Sequence, residues 1–516
     1  SPNPTLTSTS DSSSTGSSSS TDSSSTSGIS SASDSESSSG ANSTSDGSST
    51  SDGSSTSDGS STSDGSSSTS DGSSSTSDGS SSTSDGSSST STGGFVCGDG
   101  IIDPGEACDD GNAVAVDGCE DDCTETRVTF LESGWMHSCA LFEHGEVRCW
   151  GKNQYGQLGL AHKLSIGDDE LPADVPPIRL GGPVVQLAVA DLHNCALFEN
   201  GEVRCWGHGS EGKLGYGNSN NIGDDEHPED LPPVPVGGKV IQIKVGNRSS
   251  CALLENGTVR CWGYAGFGTL GGASNVNIGD DEPASDGPLV TLGGPAKAIY
   301  SGGGNTCAHM QSGDLMCWGK NNYGQTGHGT TQHIGDNETP LSWGPVDVGG
   351  PVQAVFKAQQ HTCALLPGDT MRCWGAGNEG RLGYGNTNHI GDNELPSSAP
   401  VVNLGGPVLT ADGGAHSCAV TTAGVVRCWG TNGSGQLGLG HTKTMSGIPA
   451  TILPVEVGGE GKVVLLALGE YHSCALTDEA EVRCWGRGAD GRLGHGNTNN
   501  IGDNELPSSA GNVVVY

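Results

Sequence analysis

The chain repeats one phrase seven times at a step of 56 residues, shortened once to 55. The clearest copy runs His193-Asn194-Cys195-Ala196-Leu197, then Asn200-Gly201-Glu202-Val203-Arg204-Cys205-Trp206-Gly207. The first cysteines of the copies are Cys139, Cys195, Cys251, Cys307, Cys363, Cys418 and Cys474. A unit of this length cannot bury its apolar face alone, so it must pack on its neighbours in a solenoid or a propeller. A solenoid needs atypical repeats at its ends, and the terminal copies here are ordinary. The expected fold is all-β, a seven-bladed β-propeller.

Within one unit, Val184 to Val189, His193 to Glu199 and Glu202 to Trp206 read as short strands. Asn200-Gly201 marks a hairpin, because glycine tolerates the positive φ of such turns. Leu231 to Val236, rich in proline, reads as a weaker fourth strand at the outer edge. No segment has helical periodicity of useful length. After each Cys-Trp-Gly comes a glycine frame, such as Gly156-Gln157-Leu158-Gly159. One copy, Gly207 to Lys213, superficially matches a phosphate-binding loop, but it lacks the hydroxyl residue after the lysine and no helix follows.

Fourteen of the 18 cysteines form seven pairs of identical spacing. A three-residue hairpin loop puts Cys195 directly opposite Cys205, close to disulfide geometry. Buried free thiols or a metal set are the alternatives. The regular spacing favours the disulfides Cys139–Cys149, Cys195–Cys205, Cys251–Cys261, Cys307–Cys317, Cys363–Cys373, Cys418–Cys428 and Cys474–Cys484. Each would contribute about 2–3 kcal/mol through loop entropy, and all imply an oxidising compartment.

On the phrases Cys-Ala-Leu, Arg-Cys-Trp-Gly and Gly-Gln-Leu-Gly, residues 127–516 resemble the regulator of chromosome condensation repeat, in its cysteine-paired bacterial variant. That resemblance implies a seven-bladed β-propeller. It also implies a role as a guanine-nucleotide exchange factor, which the acidic composition and the disulfides disfavour.

Two other segments precede the repeats. Residues 1–94 consist almost wholly of serine, threonine, glycine and aspartate, with nothing to bury, and read as a disordered stalk. Residues 95–126 hold Cys97, Cys108, Cys119 and Cys123 among ten carboxylates and no basic group. The run from Cys97 to Cys123 resembles the Myxococcus cysteine-rich repeat, a module of bacterial surface proteins. Two disulfides are expected, in one of three connectivities. The crowded oxygens suit Ca²⁺, with Asp99, Asp109, Asp110, Asn112 and Asp117 as candidate ligands; a solvated acidic loop is the alternative.

The net charge of −38 and the absence of a basic run exclude nucleic acid as a partner. No apolar stretch is long enough to span a membrane as a helix. The start at Ser1 fits a processed secretory chain, and an N-terminal lipid anchor is compatible with it. An extracellular or envelope-surface monomer is expected.

Six copies carry an acidic tag after the glycine frame. It supplies Asp168 and Asp169, Asp224 and Asp225, Asp280 and Asp281, then Asp336, Asp392 and Asp503. A ring of such loops suits cations or a basic partner, and turn-capping aspartates are the plainer reading. Five copies carry a histidine two residues before the first cysteine: His137, His193, His361, His416 and His472. Two copies have Ser249 and Asn305 there, which favours a structural hydrogen bond over a metal ring. The seven tryptophans read as core. No nucleophile–base constellation stands out. The expected function is non-enzymatic binding of a protein or glycan, with an unrecognised propeller active site as a further alternative.

Overall fold

The structure is a computed structural model, and it describes residues 97–102, 106–112, 119 and 123–516. The stalk expected over residues 1–94 and the candidate ligand Asp117 lie outside the described residues.

Each repeat folds into a three-stranded antiparallel sheet, and there are seven. In the first, β1 (Val128–Ser133) pairs with β2 (His137–Phe142), which pairs with β3 (Val147–Gly151). The inner strands of successive blades pack against one another around an axis, and that of the last blade (Val463–Leu468) packs on β1. The ring is therefore closed, which removes the exposed inner edges an open array would leave. Middle strands are buried almost throughout because both faces are covered by neighbouring blades.

The hairpin register is the one that the cysteine spacing predicts. Cys195 lies opposite Cys205, with Cα atoms 4.1 Å apart, and the other six pairs repeat this. In the acidic module the connectivity is Cys97–Cys123 and Cys108–Cys119.

Two expectations are corrected. The proline-rich segment is not a fourth strand: in blade two it makes a single ladder-like bond, Val234 N–H to Val203 O at 2.7 Å. Its neighbours Pro233 and Pro235 have no N–H to extend the pairing. The last residues, Val513 to Tyr516, match the segment before each internal Gly-Gly, and that match predicts a strand that pairs in the sheet of Val128 to Glu132 and closes the disc. Instead Val513 N–H bonds Val482 O at 2.8 Å, completing blade seven as Val234 completes blade two. Blade one needs no borrowed strand, because β1 is already its inner strand and Ile178 N–H bonds Val147 O at 2.8 Å.

The seams between blades are polar and regular. Every Cys-Trp-Gly tryptophan is fully buried, and its indole N–H donates to a carbonyl in the preceding blade's glycine frame, as from Trp206 to Gln157 O at 3.1 Å. Trp150 donates across the seventh seam to Arg492 O at 3.1 Å. The histidines bridge in the other direction. His137 Nε2 lies 2.8 Å from Asn194 Oδ1, His193 Nε2 3.0 Å from Ser250 Oγ and His361 Nε2 2.8 Å from Ser417 Oγ. His416 Nε2 lies 2.6 Å from Ser473 Oγ, and His472 Nε2 lies 2.9 Å from Ser138 Oγ, closing the ring. The five histidines thus stand at five separate seams and do not converge on a metal site.

Candidate functional site

Strand direction decides which residues share a face of the disc. Inner and outer strands end, and middle strands begin, at one face; hairpin tips such as Asn200-Gly201 lie at the other. The first face carries the turns after the inner strands, the glycine frames and the acidic tags, since Ile166 of the first tag bridges to Gly151 at the end of β3.

Each tag seats on the glycine frame of the preceding blade. Gly156 has φ 75°, and a Cβ there would lie 2.4 Å from the nitrogen of Asp224. The contact recurs around the ring to Gly491 and Asp168 at the seventh seam. Glycine is required because only it combines that backbone with that approach. The tags therefore have a structural half and an outward half. Asp169, Asp225 and Asp281 are exposed, while Asp168, Asp224, Asp280, Asp336, Asp392 and Asp503 are half-buried. Asn221 Nδ2 donates to Asp224 at 3.3 Å, and Lys163 pairs with Asp224 at 3.0 Å. Partial burial, and then the neighbouring Asp169, push Glu170 up to about 7; burial and Asp225 do the same to Glu226. Three tags gather their carboxylates closely: Asp168, Asp169 and Glu170; Asp224, Asp225 and Glu226; and Asp280, Asp281 and Glu282.

In the cysteine module, the candidate ligand Asp109 fastens two turns. Its carboxylate accepts the backbone N–H groups of Gly98, Asp99, Gly100 and Gly111 at 2.8–3.2 Å, and these bonds hold its carboxyl below the usual range. Asp99 accepts the Ile101 amide and Asp110 the Asn112 amide, each within its own turn. The donor set thus fits a cation less well than the sequence implies, because its central carboxylate already serves the backbone.

The sequence reading missed the charges along the axis. The position opposite the first cysteine of each repeat reads Glu132, Ala188, Lys244, Tyr300, Phe356, Asp412 and Ala467. Three of these seven side chains are charged on a strand that faces the channel. Glu132 Oε1 lies 3.7 Å from Lys244 Nζ, and Oε2 accepts the Val189 amide at 3.3 Å. Asp412 accepts the amides of Leu468 and Gly413, both at 2.8 Å. Burial pushes Asp412 up to about 7 and lowers Lys357, in blade five, to about 7. In the turns that follow stand Trp135, Asp191 and Glu470. Aligning the repeats on their cysteines would have exposed these residues, since a carboxylate where sister copies have alanine has no role in the repeat itself.

Residues 95–457 match the family model of the RCC1-like domain, and residues 463–492 that of the Regulator of chromosome condensation (RCC1) repeat. The chain is 30% identical over 371 residues to the RCC1 domain-containing protein RUG3, mitochondrial, of Arabidopsis thaliana, covering 67% of this chain and 78% of that one. It is 29% identical over 366 residues to the E3 ubiquitin-protein ligase HERC2 of Homo sapiens, but the match spans 69% of this chain and only 7% of HERC2. Among solved structures, human WBSCR16 superposes with a TM-score of 0.54 at 18% identity, covering 69% of this chain and 92% of that one. Prp20p of Saccharomyces cerevisiae does so at 0.53 and 19%, covering 74% and 87%. Seven bladed repeats, their tryptophan seams and these matches agree: the chain belongs to the RCC1-like family of β-propellers.

Proposed function

We propose that the chain is a non-catalytic binding protein displayed outside the cell, and that it docks a partner protein carrying a basic segment on the tag-bearing face of the disc. The observation that carries this reading is the recurrence of tag carboxylates on that face in six of the seven blades, with Asp169, Asp225 and Asp281 exposed. Clustered carboxylates with raised affinity for protons gain most from a neighbouring cation, and a field of one sign steers a basic ligand towards the disc. The same field repels a phosphate backbone. The nine disulfides support the extracellular placement, since reducing compartments do not sustain them.

The test uses the full chain and a lysine- and arginine-rich dodecapeptide, with its glutamate counterpart as control. The basic peptide should bind with an affinity that falls steeply as salt is raised. Combined Asp169→Asn, Asp225→Asn and Asp281→Asn substitutions should weaken it about tenfold or more. Equal binding of the two peptides would refute the docking face.

A further inference from the structure

The seven inner strands end in tight turns that narrow the axis to a cavity of about 100 Å³. Four carboxylates line it, those of Glu132, Asp191, Asp412 and Glu470, against the one ammonium of Lys357. Glu132 and Asp412 are satisfied by the amides and the lysine already described. Lys357 donates to Thr362 Oγ1 at 2.9 Å and has no ion pair among the described residues.

The remaining two carboxylates are different. Asp191 is only 9% exposed, yet it has no hydrogen bond or ion pair among the described residues. Glu470 interacts with the Tyr471 hydroxyl, but its Oε2 is buried and accepts nothing, and Trp135 stands in the same lining. Buried polar groups are nearly always paired, so two carboxylates on one cavity, Asp191 without a partner and Glu470 with one oxygen free, point to a guest with hydrogens to donate. The cations that act on these carboxylates are Lys213 on Asp191, and Arg492 and Arg487 on Glu470. Lys213 Nζ sits 3.3 Å from His208 Nδ1, and Arg492 donates to Asp490 and to Ala489 O, both at 2.7 Å. None of the three lines the cavity.

We propose that the mouth of the channel binds a primary ammonium group, held between the Asp191 and Glu470 carboxylates beside Trp135. Its three N–H donors match the unfilled carboxylate oxygens, and an indole face attracts such a cation. A metal ion fits less well, because calcium takes six to eight oxygens and two carboxylates supply at most four. The cavity admits an amine head and excludes bulky groups. The proposal deepens the docking face and rests on that reading for one source of the ammonium, a lysine of the basic segment; a free small amine is the other source. Burial and then the Glu470 charge push Asp191 up to about 7, although Lys213 opposes this, so affinity should rise between pH 6 and 8.

The experiment is calorimetric titration of the full chain with n-butylammonium chloride, with n-butanol as the neutral control. Saturable binding of the amine and none of the alcohol is expected, a contrast that needs no variant. Asp191→Asn and Glu470→Gln should each weaken it at least about tenfold, with the fold checked by melting. Undetectable amine binding, equal binding of the alcohol, or tighter binding of calcium chloride would overturn the proposal. Loss of basic-peptide affinity in Asp191→Asn would identify the partner's lysine as the guest. Peptide binding through the tags without amine binding would sink this inference alone; Asp191-dependent amine binding without peptide binding would sink the docking face alone.

Discussion

At the residue scale, the seams are built from side chains chosen for one hydrogen bond each. The indole of Trp206 reaches back one blade and the imidazole of His193 reaches forward one. Burial makes the histidines poor bases: His137 is lowered to about 4 and His361 and His416 to about 3, desolvation being the main cause. A depressed native value means the unfolded chain takes the proton first. The stability such a histidine contributes is therefore whole above about pH 6.5 and is lost as pH falls towards 3. Raised carboxylates such as Asp412 act with the opposite sign, losing their contribution as pH rises through about 7, so the test must isolate one histidine. His416→Gln should cost about 1–3 kcal/mol at pH 7 by breaking the bond to Ser473. The gap in melting temperature from wild type should narrow between pH 6.5 and 4. A gap independent of pH would show that burial does not depress His416 in the native disc. The sequence pointed to this role through two exceptions: a metal ring would not survive Ser249 and Asn305, whereas a seam of hydrogen bonds does.

At the scale of the element, legibility followed the strength of local chemistry. The cysteine hairpin could be read to the residue, because two constraints, a tight Asn-Gly turn and a pair of cysteines with nine residues between them, fix the same register in Cys195 and Cys205. The Pro-rich outer segment could not, because period and propensity do not report how many ladder bonds proline leaves unmade; only the Val234 N–H survives. The channel charges were hidden for another reason. Asp191 and Glu470 lie in turns, where a carboxylate is ordinary, and only the closed ring shows that both border one cavity. The acidic module stands between these cases. Its calcium expectation rests on Asp99, Asp110, Asn112 and Asp117, the last outside the described residues, with Asp109 tied to four amides. We propose that calcium adds to an already fastened module with the millimolar affinity of extracellular sites. At ten times its dissociation constant it would then stabilise the segment by about 1.4 kcal/mol. Slower proteolysis of the full chain between Cys97 and Cys123 in calcium than in chelator is the expected result. Equal rates would leave Asp109 and the two disulfides as the whole of its stability.

At the scale of the molecule, what distinguishes this ring is that its closing seam is no different in kind from the six the chain spans. Each seam has a tryptophan bond, and the seventh also has a histidine bridge and a tag seated on a glycine frame. Between blades one and two, Glu229 N–H bonds Arg179 O at 3.2 Å; between seven and one, Ala173 N–H bonds Val514 O at the same distance. No strand is exchanged across the closure, so the ring holds only while both of its end blades are complete. Val513 and Val515 are 3% and 2% exposed, and the Tyr516 ring meets Phe142 edge-on at 6.3 Å. Removing Val513 to Tyr516 would strip the outer segment from blade seven and one backbone bond from the seam. Burial of the two valines alone is worth about 3–6 kcal/mol. That loss falls at the one seam where no covalent connection limits how far the blades can part. The shortened chain should therefore melt several degrees below the full chain, and it should form oligomers visible by size exclusion as opened rings pair their unprotected ends. Tyr516 deleted alone should do much less, because it removes one edge contact and no backbone bond. If deleting all four residues left both melting and size unchanged, the seam would be closed by the His472–Ser138 and Trp150–Arg492 bonds without help from the segment that completes blade seven.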